Sequence, residues 1–247
     1  MKESALKCDV SWNAQIADSA VCEPVSIFTE KEMPYIVHEI RKPLQNILSV
    51  LNLLELKRPN DPLLNRYLMI LYDELQREDD FLADILDYFC HKHTDLNKVF
   101  CNLDIILQQV IELLRSKAIL LRVQFQEEYA PGLPPVFLDK NKTKQVLVNL
   151  LVNALEAFEE TPKTDALITI RAYLEGNNLI ITISDNANGM LPDVLNRCLN
   201  PFFTTKSGGT GLGLPFCSDV IARHNGCLTI DSILYRGTTA KIAFPLS

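Results

Sequence analysis

Of the nine glycines in this 247-residue chain, five fall between Gly189 and Gly213, and four of those lie in Ser207-Gly208-Gly209-Thr210-Gly211-Leu212-Gly213-Leu214. A glycine-rich turn that opens a helix lets backbone N–H groups close on phosphate oxygens, and the helix dipole favours their charge. The segment lacks the Gly-Lys-Ser/Thr of a Walker loop, and no strand precedes it as a dinucleotide fingerprint requires. Upstream, Asn149 and Asn153 sit four apart on one face of the otherwise apolar helix from Gln145 to Ala154. Amides on a core-facing surface need partners. One could ligate a Mg²⁺ ion that bridges nucleotide phosphates while the other hydrogen-bonds beside it; both could equally serve capping and packing. Asp185 ends a strand in Ile183-Ser184-Asp185-Asn186-Ala187-Asn188-Gly189-Met190. Its carboxylate can accept a hydrogen bond from the exocyclic amine of adenine, or be an ordinary turn aspartate.

A nucleophile stands far from these groups in sequence. His38 lies among Ile36, Val37 and Ile40 on an apolar helical stripe, so its ring falls at the edge of the packed face. Imidazole that is neutral near pH 7 is a competent nucleophile. Glu39 can hold the other ring N–H or take its proton. Pro43 lacks a backbone donor and is expected to bend the helix just past this point. His91 and His93, near Cys90, read as solvated linker. His224 reads as a helix C-terminal residue whose partly cationic ring suits the dipole.

These groups need elements to position them. From Met33, apolar residues recur at helical spacing (Ile36, Val37, Ile40, Leu44, Ile47, Leu48, Leu51, Leu54) and stop at the turn formers Arg58-Pro59-Asn60-Asp61-Pro62. The pattern resumes from Leu64 to Phe89, so an antiparallel helical hairpin is predicted. One hairpin leaves an apolar stripe exposed, and a second copy completes a four-helix bundle. After residue 97 the pattern changes. Strands are predicted over Val99 to Leu103, Leu121 to Phe125, Pro135 to Leu138, Ala166 to Tyr173, Leu179 to Ser184, Cys227 to Ile233 and Thr238 to Phe244. Helices are predicted over Ile105 to Leu114, Thr143 to Phe158 and Pro215 to His224. The fold class is α+β: a hairpin forming a dimeric four-helix bundle, then an α/β sandwich with helices on one face of a mixed sheet. The domains fall at 1–28 (lead-in), 29–96 (hairpin) and 97–247 (sandwich).

Taken together, Asn149/Asn153, Asp185-x-Ala187-x-Gly189, Pro201-Phe202-Phe203-Thr204-Thr205-Lys206 and Gly209-Thr210-Gly211-Leu212-Gly213-Leu214 resemble the N, G1, F and G2 boxes of sensor histidine kinases. His38-Glu39-Ile40-Arg41-Lys42-Pro43-Leu44 resembles their H box. The spelling around Asn153 and Pro201 is similar to the nitrogen-regulation and sporulation kinase branch. The resemblance runs from about residue 29 to the C-terminus and implies a Bergerat (GHKL) ATP-binding fold. It implies Asn153 as the Mg²⁺ ligand, Asn149 as its phosphate or metal neighbour and Asp185 as the adenine reader. Gly209, Gly211 and Gly213, with Gly189, Thr204, Thr205, Lys206, Thr210 and Leu212, would surround the nucleotide, and Met190 to Gly208 would form a lid. Thr239 would make a water-mediated adenine contact. The implied activity is ATP-dependent phosphorylation of His38, with Glu39 assisting, followed by transfer to an aspartate of a response-regulator receiver domain.

Two positions depart from the family pattern. Lys42 stands where Asn or Thr often positions water for dephosphorylating the partner, so phosphatase activity is not implied. Ala187 replaces a glycine, and if that position needs positive φ its Cβ strains the adenine site and weakens binding. A phosphorelay or scaffold dimer with a decayed ATP site is the alternative. The rest of the composition excludes other classes. The formal charge of −7 with only paired basic residues opposes a nucleic-acid partner. No apolar run approaches the roughly 20 residues of a membrane helix. Seven scattered cysteines without a Cys-x-x-Cys pair read as free thiols of a cytoplasmic protein. The short lead-in leaves no room for a sensor domain, so the input is expected from a separate protein or from a longer chain.

Overall fold

The structure, a computed structural model, describes residues 33–57, 61–93, 95–206 and 209–246. Helices α1 (Met33–Lys57) and α2 (Pro62–His93) form the antiparallel hairpin. Asp61 starts α2 by accepting the N–H groups of Leu63 and Leu64 at 3.1 Å each, with Pro62 at the first helical position. Across the hairpin, Arg41 Nε meets Asp79 Oδ1 at 2.6 Å, and the Tyr72 hydroxyl donates to Asn52 Oδ1 at 2.8 Å. Helix α1 continues through Pro43.

The second domain opens with β1 (Lys98–Cys101), which pairs antiparallel with β3 (Val136–Asp139). Between them lie α3 (Leu103–Leu121) and β2 (Gln124–Tyr129). Helix α3 runs past the predicted Leu114 and ends at Arg122, whose φ of 57° places it in the left-handed region. The residues from Leu121 to Phe125, expected as a strand, are therefore divided between a helix end and the start of β2. Leu103, expected in a strand, begins α3. Then follow α4 (Lys140–Glu160), β4 (Leu167–Glu175), β5 (Asn178–Asp185), the one-turn α5 (Pro192–Leu195), α6 (Gly213–Arg223), β6 (Cys227–Ile233) and β7 (Gly237–Pro245).

The five-stranded sheet has the order β2-β4-β5-β7-β6, with β2 and β4 parallel and the other pairs antiparallel. Strand residues alternate between faces. Ile168, Ile170 and Ala172, Leu179, Ile181 and Ile183, and Ala240, Ile242 and Phe244 are buried on one face. Leu147, Leu151, Leu155 and Phe158 of α4 belong to the same core, together with Ile106, Leu107, Val110 and Ile111 of α3 and Phe216, Val220 and Ile221 of α6. The sandwich is thus three helices on one face of a mixed sheet, as the strand and helix spacing predicts.

One buried joint fixes α4 against α6. Asp139 caps α4 by accepting the N–H groups of Asn141 and Lys142 at 3.0 Å each, while its own N–H donates to His224 Nε2 at 2.9 Å. The other ring nitrogen of His224 lies 2.8 Å from the Val220 carbonyl. Accepting at Nε2 and donating at Nδ1 requires the neutral ring. Burial lowers its pKa from the ordinary value. The partly cationic ring expected at this helix end is replaced by a neutral one with both nitrogens engaged.

Candidate functional site

A cavity of about 530 Å³ opens between α4, the helix-facing side of the sheet, residues of the 190–206 and 209–211 segments and the start of α6. Helix α4 turns Gln145, Asn149, Asn153 and Glu156 toward it. Their spacing of four, four and three residues puts all four on one helix face. The sheet contributes Ile183, Asp185, Ile230, Thr238 and Ala240.

Asp185 Oδ1 accepts the backbone N–H groups of Ala187 at 2.9 Å and Thr238 at 3.2 Å. Burial raises its pKa, opposed by these two amides and by the charge of Lys163. The carboxylate is thereby fixed at the cavity floor. Lys163 in turn binds the carbonyl of Asn186 and holds the turn that follows β5.

Gly189 has a φ of +66°, and a Cβ there would come within 2.2 Å of the Ile233 carbonyl oxygen. Gly211 shares that φ, and its Cβ would meet the Phe203 carbonyl oxygen at 2.6 Å. Both positions demand glycine for backbone conformation and close approach. Ala187 is not among the residues with positive φ, and its methyl group is fully buried. The strain expected at Ala187 is therefore absent, and with it the reason to expect weakened binding from that substitution.

Helix α6 begins at Gly213 with no side-chain cap from Leu212, and its first turn, Gly213, Leu214 and Pro215, lines the cavity. That is the anion-binding end of a helix. A Cβ at Gly213 would stop 3.9 Å from Asn149 Nδ2, which marks how near the helix start lies to the α4 amides. Asn149 also hydrogen-bonds the Cys217 thiol, which burial pushes up to about 12 and leaves inert at neutral pH.

Lys206 Nζ reaches Glu156 Oε2 at 2.5 Å and Asn153 Oδ1 at 3.3 Å. The Asn153 oxygen thus already accepts a cation, and with Glu156 it presents a hard oxygen pair to the cavity. Among the described residues no cluster of three or more His, Cys, Asp or Glu side chains forms a metal cage. Magnesium ordinarily completes its shell with water and phosphate oxygens, so a single amide with an adjacent carboxylate fits it.

The cavity brings together Asn149, Asn153, Asp185, Gly189, Thr204, Thr205, Lys206, Gly209, Thr210, Gly211, Leu212 and Gly213. It does not include Thr239. That hydroxyl pairs with Ser184 Oγ at 2.9 Å on the opposite face of the sheet, whereas Thr238 lines the cavity. The one-residue difference is a matter of strand alternation, which fixes which neighbour faces the helices. His38 is exposed on α1 beside buried Val37 and is not a lining residue. The Glu39 side chain lies outside the described residues, as do Ser207 and Gly208.

Sequence reasoning missed the wall supplied by α2. Arg77, Phe81, Asp84 and Tyr88 line the cavity, and Thr210 Oγ1 donates to Asp84 Oδ2 at 2.9 Å. Periodicity shows these α2 positions lie near one face but not what that face meets. Gln145 and Glu156 were accessible to the same helical spacing that singled out Asn149 and Asn153. No described helix is long and apolar enough to cross a membrane.

An oxygen-lined cavity beside an uncapped helix and a hairpin with an exposed histidine defines a two-module arrangement, and sequence comparison finds both modules. Residues 30–93 match the His Kinase A (phospho-acceptor) domain, and residues 138–247 match the histidine kinase-, DNA gyrase B- and HSP90-like ATPase family. The chain belongs to the histidine kinases and carries their catalytic core. It is similar to sporulation kinase A of Bacillus subtilis (strain 168), at 32% identity over 85% of this chain, and spans 33% of that relative's length. Among solved structures, full-length ShkA in complex with AMPPNP matches 89% of this chain and 46% of its own, with a TM-score of 0.75 and 22% identity. The histidine kinase ThkA in complex with the response regulator TrrA matches 88% of this chain and 63% of its own, with a TM-score of 0.62 and 22% identity. Both likenesses are of fold.

Proposed function

We propose that this chain binds Mg·ATP in the cavity, transfers the γ-phosphoryl group to His38, and passes it on to an aspartate of a response-regulator receiver domain. The observation that carries the reading is convergence. Three segments separated in sequence place Asn149 and Asn153, Asp185, and the uncapped start of α6 around one space. In this reading Asp185, held by two backbone N–H groups, accepts the exocyclic amine of adenine. The α6 N-terminus and the turn around Gly211 receive the phosphates. Asn153 provides the protein oxygen for Mg²⁺, which when bound would neutralise phosphate charge and orient the transferred group.

A ring nitrogen of His38 attacks the γ-phosphorus, the bond to the bridging oxygen breaks, and ADP leaves with the electron pair. The proton on the other ring nitrogen passes to a base, for which Glu39 is the neighbour in sequence. An aspartate oxygen of the receiver then takes the phosphoryl group from the imidazole.

His38 does not line the cavity, so the reaction requires the sheet domain to present its nucleotide to an α1 helix. The hairpin supports a dimer, because Ile40, Ile47, Leu48, Leu54, Tyr67 and Leu71 are exposed along it and a second hairpin would bury them. The known complex of ThkA with a response regulator supports the partner class. An input domain elsewhere, in this protein or another, completes the reading.

The test is incubation with γ-labelled ATP and Mg²⁺. Acid-labile, base-stable label is expected on the wild type and absent from His38→Gln and Asn153→Ala. Unlabelled but folded wild type would overturn the proposal. Mixing the two variants separates transfer within a chain from transfer across a dimer, since only the latter restores label.

A further inference from the structure

Lys206 approaches α4 at the oxygen this reading gives to the metal. Its Nζ lies 3.3 Å from Asn153 Oδ1 and 2.5 Å from Glu156 Oε2. An ammonium and a divalent cation cannot share one amide oxygen, because like charges at contact distance repel strongly in a partly shielded site. The lysine must therefore leave Asn153 before Mg²⁺ arrives. The surroundings suit such an exchange. Glu156 Oε1 faces Lys117 Nζ at 3.9 Å, and Lys117 also pairs with Glu159 at 3.0 Å. When Lys206 departs, the Glu156 carboxylate keeps a neighbouring cation and is not left bare. The side chains of Lys206, Glu156 and Lys117 are each about a third exposed, at 31%, 31% and 34%. The seat is thus firm enough to hold a charge and open enough to release it.

We propose that Lys206 is a tethered counter-ion of the metal seat, parked by Glu156 on the Asn153 oxygen until Mg²⁺ entering with the nucleotide displaces it. Glu156 is then a positioning residue that sets how much Mg²⁺ the nucleotide site requires. The displaced ammonium, carried on the segment that closes the cavity, becomes available to the phosphates. The exchange links metal arrival to release of that segment from α4. It also explains why a carboxylate stands one helical turn beyond Asn153 on the same face.

The inference rests on the nucleotide reading above, and its test uses binding rather than phosphorylation. ADP binding to the whole chain is followed by calorimetry while Mg²⁺ is titrated, and the quantity read is the Mg²⁺ concentration at half-maximal binding. Lys206→Met is expected to lower that concentration about threefold, the scale of a partly exposed ion pair, and Lys206→Arg to restore it. Glu156→Gln, which loosens the ammonium without removing it, is expected to lower it by less. An unchanged or raised requirement in Lys206→Met overturns the proposal, since it would make the lysine a phosphate ligand alone. Failure of the wild type to bind ADP at any Mg²⁺ level overturns the nucleotide reading itself, and this inference with it.

Discussion

Leu51 in the hairpin and Leu151 in the sheet domain are both buried leucines on helical apolar stripes, yet they sit in different kinds of interior. Around Leu151 every direction is filled: α3, α6 and the sheet close over α4, and Leu147, Leu151 and Leu155 are all 0% exposed. Around Leu51 only α2 is present, and Ile47, Leu48, Val50, Leu53 and Leu54 on the same helix remain open to solvent. The sheet domain has a closed core, to which the hairpin adds Val37, Leu82, Ile85 and Tyr88 at one side. The hairpin has half of one. A helix pair with one buried seam and wide apolar flanks is stable only when something else covers those flanks, so the two regions should lose stability by different routes.

That contrast can be broken by substitution. Leu151→Ala should destabilise the sheet domain by about 2–5 kcal/mol, read from its urea transition, because the site is closed on all sides and cannot collapse. Leu54→Ala should leave that transition in place and instead weaken self-association in sedimentation equilibrium. Equal shifts of the urea midpoint in both variants would show that the two regions fold as one unit.

A smaller effect is expected at the joint between α4 and α6. The pKa of His224 lies below its ordinary 6.5, chiefly from burial, with Lys98 and Arg223 acting in the same direction and the Val220 carbonyl and Asp139 opposing. The unfolded chain therefore binds more protons than the folded one in the window just below pH 6.5. Stability is fully present above that pH and falls as pH drops toward the folded value. Melting curves of the wild type should show this slope, and His224→Gln should flatten it. The smallest effect is expected at Arg41. Its pairing with Asp79, with side chains 27% and 50% exposed, should contribute under about 1 kcal/mol after solvent screening. Thermal melts of Arg41→Ala at low and high salt would measure it.

Much of this architecture was legible in the chain, for reasons that differ by element. The α4 face was readable because a 3.6-residue period places Asn149 and Asn153 together whatever lies opposite them. The turns at Gly189 and Gly211 were readable because positive φ and close backbone contact leave few other residues possible. The extent of α3 was not. Ile119, Leu120 and Leu121 are as compatible with a strand as with a helix, and the left-handed stop at Arg122 carries no glycine to announce it. Thr239 was misplaced because its neighbour Thr238 is chemically identical, and only the pairing of Ser184 with Thr239 decides which of them faces the cavity. The contribution of α2 was beyond reach, since spacing fixes a helix face and not the surface it meets.

The wall formed by Arg77, Phe81, Asp84 and Tyr88 has a mechanical consequence. Helix α2 is at once a strut of the hairpin and a side of the cavity, joined to the glycine-rich turn through Asp84 and Thr210. A rotation or slide of that strut would move the cavity wall and the Asp84 carboxylate that holds Thr210. By thermodynamic reciprocity, whatever occupies the cavity resists the same motion. The hairpin and the cavity are therefore coupled through this wall, and a load placed on either would be felt at the other.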